Sequence, residues 1–124
     1  MKRRKGIEII EDHEGSGEPI KKGDFYQLRL KMWLHKGDPV IWLKPFGLID
    51  RMKLSSDGTT LISDYRIDRE FLFDGLFYGI LDMKIGGMRK LKIAPHLAYR
   101  EEGVEGMIPP NALLTVEVTV LGKR

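Results

Sequence analysis

From Phe25 to Leu34 the chain reads FYQLRLKMWL, with Tyr26, Leu28 and Leu30 alternating against Gln27, Arg29 and Lys31. A repeat of two sends successive side chains to opposite faces, so this run folds as a half-buried strand. The alternation returns in Leu61, Ser63, Tyr65 and Ile67, in Met88 to Ile93 (MRKLKI), and in Leu113 to Leu121 (LLTVEVTVL). A shorter apolar segment, Ile7 to Ile10, comes first and is ended by the polar cluster EDHEGSGEP. Turns rich in glycine, proline and aspartate punctuate these runs: KKGD at 21–24, HKGDP at 35–39, and Asp57-Gly58. Asp-Gly between two apolar runs is a strong hairpin signal. It pairs residues 40–54 with 59–67, with an interruption near Pro45 and Gly47.

Only one window carries a helical period, REFLFDGLFYGILDMKIGG. Asp74 is the expected N-cap, Leu76, Phe77, Ile80 and Leu81 share a face, and Gly86-Gly87 is the expected stop. Five or six strands and one helix make an α+β domain, an antiparallel sheet wrapped on a single helix. At 124 residues, 42 % hydrophobic and 31 % charged, the chain fits one globular domain over residues 1–124. No apolar run reaches membrane-spanning length. The MKRRKGIEII start is too short in apolar residues for a secretory signal, and the expected location is cytoplasmic. With no cysteine, disulfides and thiolate chemistry are excluded. The net charge of +3 is concentrated at the ends, and residues 1–6 read as a solvated basic tail rather than a nucleic-acid site.

The segment GILDMKIGGMRKLKIAPHLAYREEGVEGMIPPNALLTVEVTVL resembles the C-terminal half of an FKBP-type peptidyl-prolyl cis-trans isomerase. Met83-Lys84-Ile85-Gly86-Gly87, Leu97-Ala98-Tyr99 and Ile108-Pro109-Pro110-Asn111-Ala112 carry the likeness, with Ala94 in place of the family's first proline. Gly15-Ser16-Gly17 followed by Lys21-Lys22-Gly23-Asp24 resembles the family's entry to its second strand. The resemblance implies a curved sheet of five or six antiparallel strands half-wrapped around a short helix. It also implies an apolar pocket between the two, overhung by the loop that follows the tyrosine. Residues 40–67 form a variable inserted hairpin region against the family pattern.

What the resemblance implies for the site is a pocket made of Tyr99, Ile108, Leu72, Phe73, Leu76, Leu30, Val40 and Val116. Tyr99 and Ile108 match the family. Leu30 stands for its second-strand tyrosine, Val40-Ile41 for a Phe-Asp pair, Leu72-Phe73 for Val-Ile, Leu76 for the floor tryptophan and Val116 for a phenylalanine. The backbone N–H of Phe73 would take the role of the ligand-binding donor ahead of the helix. Twisting an X-Pro bond needs no nucleophile, metal or acid–base pair, so no cofactor is expected. His13, His35 and His96 lack metal-ligand spacing and read as structural or exposed. The implied partners are proline-containing peptides or unfolded protein segments, with no membrane, and the implied activity is a low one because aromatic area and the acid are lost. A non-catalytic FKBP-like binding module or chaperone is the alternative. Trp33 and Trp42 read as packing residues of the sheet; Trp42, Phe46 and Leu48 could instead make an apolar lip for a partner.

Overall fold

The structure, a computed structural model, describes residues 5–42 and 53–124. Six strands build one sheet: β1 (Ile7–His13), β2 (Phe25–Trp33), β3 (Lys53–Leu54), β4 (Leu61–Arg66), β5 (Met88–Ile93) and β6 (Leu114–Lys123). Their order is β1-β5-β6-β2-β4-β3, and every pairing is antiparallel. The period of two survives intact: Tyr26, Leu28, Leu30 and Met32 of β2 are buried, as are Leu114, Val116, Val118 and Val120 of β6. Bulges between Ile9 and Glu11 and between Gln27 and Leu28 bend the sheet, and the first leaves Ile10 half exposed. Against the sheet, chiefly β5 and β1, lies α1 (Asp74–Ile80), which buries Leu76, Phe77 and Ile80. Each such side chain taken fully out of water contributes about 1.5–3 kcal/mol.

Three boundaries differ from expectation. Phe73, with an extended backbone, caps the helix without a side-chain hydrogen bond, and Asp74 is instead the acidic first residue. The helix ends at Ile80, six residues before Gly86, where the carbonyls of Gly79 and Ile80 are taken by other donors. β1 runs on through the polar residues Glu11, Asp12 and His13, because β5 offers a full ladder of partners there. Among the described residues of the hairpin region, Lys53–Leu54 pairs with β4, while Val40 reaches the sheet through its N–H to the Met32 carbonyl at 2.8 Å. The interruption near Pro45 and Gly47, with Phe46 and Leu48, lies outside the described residues, as does most of the basic tail. The connecting turn is held by Asp57, whose Oδ1 accepts from Ser55 Oγ at 2.7 Å and from the backbone and hydroxyl of Thr59. Led by the Ser55 bond, these hydrogen bonds push its pKa down to about 2.

Two devices seat the helix. Gly75 and Gly79, one turn apart, face β5 so closely that a Cβ on Gly75 would lie 2.3 Å from Ile93 Cγ2 and 2.9 Å from the Leu97 carbonyl oxygen. A Cβ on Gly79 would lie 2.6 Å from Leu91 Cδ1. Beyond them, the Arg89 side chain is 5 % exposed and donates to Gly79 O at 2.8 Å, to Asp82 at 2.6 Å and, through two nitrogens, to Asp12 at 3.1 and 3.2 Å. Burial alone would lower the Arg89 pKa, but the hydrogen bonds and charges of Asp82 and Asp12 outweigh it and raise it. One guanidinium thus joins β1, β5 and the helix C-terminus, where a cation also complements the helix dipole.

Gly75→Ala should destabilise by about 1–3 kcal/mol in urea unfolding, the overpacking cost exceeding the helix-propensity gain of about 1 kcal/mol. Arg89→Met should cost about 2–3 kcal/mol, because Gly79 O loses its donor while the half-exposed Asp12 and Asp82 return to water.

Candidate functional site

After β5 a single 3-10 turn, Pro95–Leu97, leads into Tyr99, which packs partly buried against the hydrophobic cluster. The loop beyond it is folded back and stapled by its own backbone. Gly103 N–H donates to Tyr99 O at 2.9 Å, and Val104 and Ile108 exchange two hydrogen bonds at 2.8 Å. Asn111 N–H donates to Arg100 O at 2.8 Å, closing the outer end. Arg100 and Asn111 both adopt the left-handed region, which asparagine tolerates well. Gly103 is needed for a different reason: a Cβ there would stand 2.4 Å from the Ile108 carbonyl oxygen. The two prolines follow at the exposed rim, where neither lacks a required N–H.

The Tyr99 ring packs on Phe73 at a centroid distance of 5.1 Å, tilted by 48°. Burial pushes the Tyr99 phenol up to about 12. Its hydroxyl is bonded to no described residue, and neither is the backbone N–H of Phe73. Tyr65 of β4 is a functional-site candidate that sequence reasoning did not single out. Its phenol is raised first by burial and then by the neighbouring Tyr99, which places both hydroxyls in one low-dielectric region. Alternation put Tyr65 on the core face, but nothing in a period of two says which core residue will meet Tyr99.

All eight residues expected at the site belong to, or pack against, one hydrophobic cluster. Their exposures divide them. Leu30, Val40, Leu72, Leu76, Ile108 and Val116 keep 3 % or less of their surface, while Phe73 and Tyr99 are half buried. Met32, opposite Val116 and bonded through its carbonyl to Val40, brings those two together, and Leu91 flanks Val116 on the other side. Leu30 lies one repeat along, facing Val118 and Leu61. Ile108 is buried on the core side of the loop, where two backbone hydrogen bonds pair it with Val104.

Of the eight, Ile108 alone lines either of two depressions on the described surface. One, of about 450 Å³, lies along the loop and includes Val104, Met107, Ile108 and Pro109. The other lies between Trp42 and the 55–58 turn, and Trp42 there has a buried Nε1 with no partner among the described residues. Trp42 is held beside the hairpin by its N–H to Gly58 O at 2.9 Å, not within a strand, whereas Trp33 stands on β2 with Lys90 Nζ 4.9 Å above its ring. The three histidines are exposed, and no group of metal-ligating side chains is present among the described residues. No helix among them is long and apolar enough to cross a membrane.

The raised tyrosines make an alkaline test. Folding favours the neutral phenol, so its contribution is fully present below the free value of 10 and is lost as pH rises toward 12. Melting temperature should fall across that interval in the wild type and fall less in Tyr99→Phe, with phenolate absorbance of the folded protein appearing late.

A family model described as FKBP-type peptidyl-prolyl cis-trans isomerase matches residues 53–121, more than half of the chain. FK506-binding protein 1A of Neurospora crassa is 54 % identical over 44 residues, which are 36 % of this chain and 37 % of that protein. FK506-binding protein 4 of Chaetomium thermophilum is 29 % identical over 116 residues, covering 94 % of this chain and 21 % of its relative. The chain therefore spans well under half the length of these curated relatives. Among solved structures, a peptidyl-prolyl cis-trans isomerase from Pseudomonas syringae pv. tomato superposes with a TM-score of 0.67. The match covers 94 % of this chain and 73 % of that one, and at 17 % identity it is a likeness of fold. The matched stretch runs from β3 through the helix, the Arg89 clamp and the tyrosine loop to β6, and on that ground the chain belongs to the FKBP-type peptidyl-prolyl cis-trans isomerase family.

Proposed function

We propose that this chain is a peptidyl-prolyl cis-trans isomerase of low activity, acting on X-Pro bonds in flexible or unfolded segments. The observation that carries the reading is the Tyr99 phenol, packed on Phe73 in an apolar surround and bonded to no described residue. Rotation about an X-Pro bond is opposed by loss of amide resonance, a barrier of about 18–20 kcal/mol. An apolar site that takes the prolyl ring and strips water from the imide carbonyl favours the twisted, less polar amide. Tyr99 Oη would then donate to a carbonyl of the bound segment, and the Phe73 N–H would hold a second one. Leu72, Leu76, Ile108, Val40, Val116 and Leu30 supply the hydrocarbon around them. On composition the chain is read as cytoplasmic.

A second reading has its own support. The six aliphatic members of the site are almost fully enclosed, and the aromatic floor expected of the family is Leu76. A site so constituted suits a binding module or chaperone that holds proline segments without turning them over. A protease-coupled peptide assay separates the two, since a rate no higher than the uncatalysed one would leave only the module.

Tyr99→Phe should weaken proline-peptide binding by about 0.5–1.5 kcal/mol, one neutral hydrogen bond, with little change in stability because the ring still packs. Tyr99→Ala should cost more, since it also removes the face against Phe73. Amide chemical shifts during peptide titration check both; unchanged affinity in both variants would place the functional surface elsewhere.

A further inference from the structure

The loop over Tyr99 carries charge that prolyl isomerisation does not use. It reads YREEGVEGMI from Tyr99 to Ile108, and Glu101, Glu102 and Glu105 are all exposed. None of the three is ion-paired among the described residues, and the exposed Arg100 is the only basic group within the loop. This local excess of negative charge stands against a chain whose net charge is +3. Directly beside it runs the 450 Å³ depression, lined by Val104, Met107, Ile108, Pro109 and Pro110 for its apolar part and by Glu102 and Glu105.

We propose that this acidic groove extends the proline site and selects X-Pro segments flanked by lysine or arginine. The inference rests on Tyr99 marking the prolyl-binding cleft. Ile108 connects the two, because it belongs to the buried cluster on one side and lines the groove on the other. A lysine or arginine suits the groove on both counts. Its methylene stem covers Val104 and Met107, and its charged end reaches the glutamates without leaving water. The two Val104–Ile108 hydrogen bonds and the Gly103–Tyr99 bond fix the loop backbone from which the glutamates project, so the groove keeps its shape before the peptide arrives. Being exposed, they act through a screened field, which makes the selection dependent on salt. Acidic segments are disfavoured by the same charges.

The test uses three labelled peptides with one Leu-Pro centre, flanked on both sides by lysine, alanine or glutamate, and a fourth with lysine flanks and alanine in place of the proline. Wild type and the Glu102→Gln/Glu105→Gln double variant are titrated at low and high salt. The lysine-flanked peptide should bind wild type about five-fold tighter than the alanine-flanked one, in keeping with two exposed ion pairs. The glutamate-flanked peptide should bind most weakly. The differences should vanish in the double variant and at high salt, with the alanine-flanked affinity unchanged. Equal binding of the three would overturn the selection and leave the proline site standing. A lysine preference that survives in the double variant would overturn it too, by locating it on other residues. Equal binding of the proline-free peptide, or no binding of any, would bring down the proline site and this inference with it.

Discussion

The distance between one short helix and the sheet decides most of what this domain can do. Gly75 and Gly79 let the backbone of α1 settle onto Ile93 and Leu91, closer than any side chain on those positions allows. A seven-residue helix is marginal by itself, and its stability here comes from that docking. Because Phe73 precedes the helix directly, the depth of the helix also sets where Phe73 meets Tyr99. Arg89 locks the other end. Its four hydrogen bonds join β1, the helix terminus and the turn after it, so the sheet edge and the helix cannot drift apart independently.

The tyrosine loop is organised on a different principle. Backbone hydrogen bonds over a close Gly103–Ile108 approach give it shape, and Tyr99, Val104, Met107 and Ile108 pack its inner side on the core. This leaves its side chains free to differ in character by direction. Ile108 turns inward to the core, Met107 and Val104 lie half buried, and the glutamates stand in water. A loop built this way can change its outward charge without disturbing the core that it packs on, since exposed carboxylates contribute little to folding.

Much of the architecture was legible in the chain, and for a plain reason. Strand faces follow from a period of two, and Tyr26 to Met32 and Leu114 to Val120 needed only that pattern to be placed correctly. The helix follows from its period, but neither of its ends does. Asp74 has the chemistry of a cap, but the chain enters the helix through Phe73, whose ring is committed to Tyr99. At the other end, Arg89 satisfies Gly79 O from ten positions away, and no local residue announces that. Arg89 itself reads as one more cation in the basic run MRKLKI; that it is the buried one depends on which face of β5 meets the helix.

Alone, the sequence determined the strand faces, the presence of a single helix, the turn at Asp57-Gly58 and the ordered motifs around Tyr99 and Ile108. These are local or periodic properties, written in neighbouring residues and readable without knowing what lies across the core. The tertiary structure decided what crosses between elements: the glycine face of α1 on β5, the burial of Arg89, the meeting of Phe73 and Tyr99, the approach of Tyr65 and the inward turn of Ile108. Each of these is a contact between segments far apart in the chain, fixed by close packing and by the satisfaction of buried polar groups. No spacing along the sequence encodes such a contact, because the distance that matters exists only once the sheet has curved around the helix.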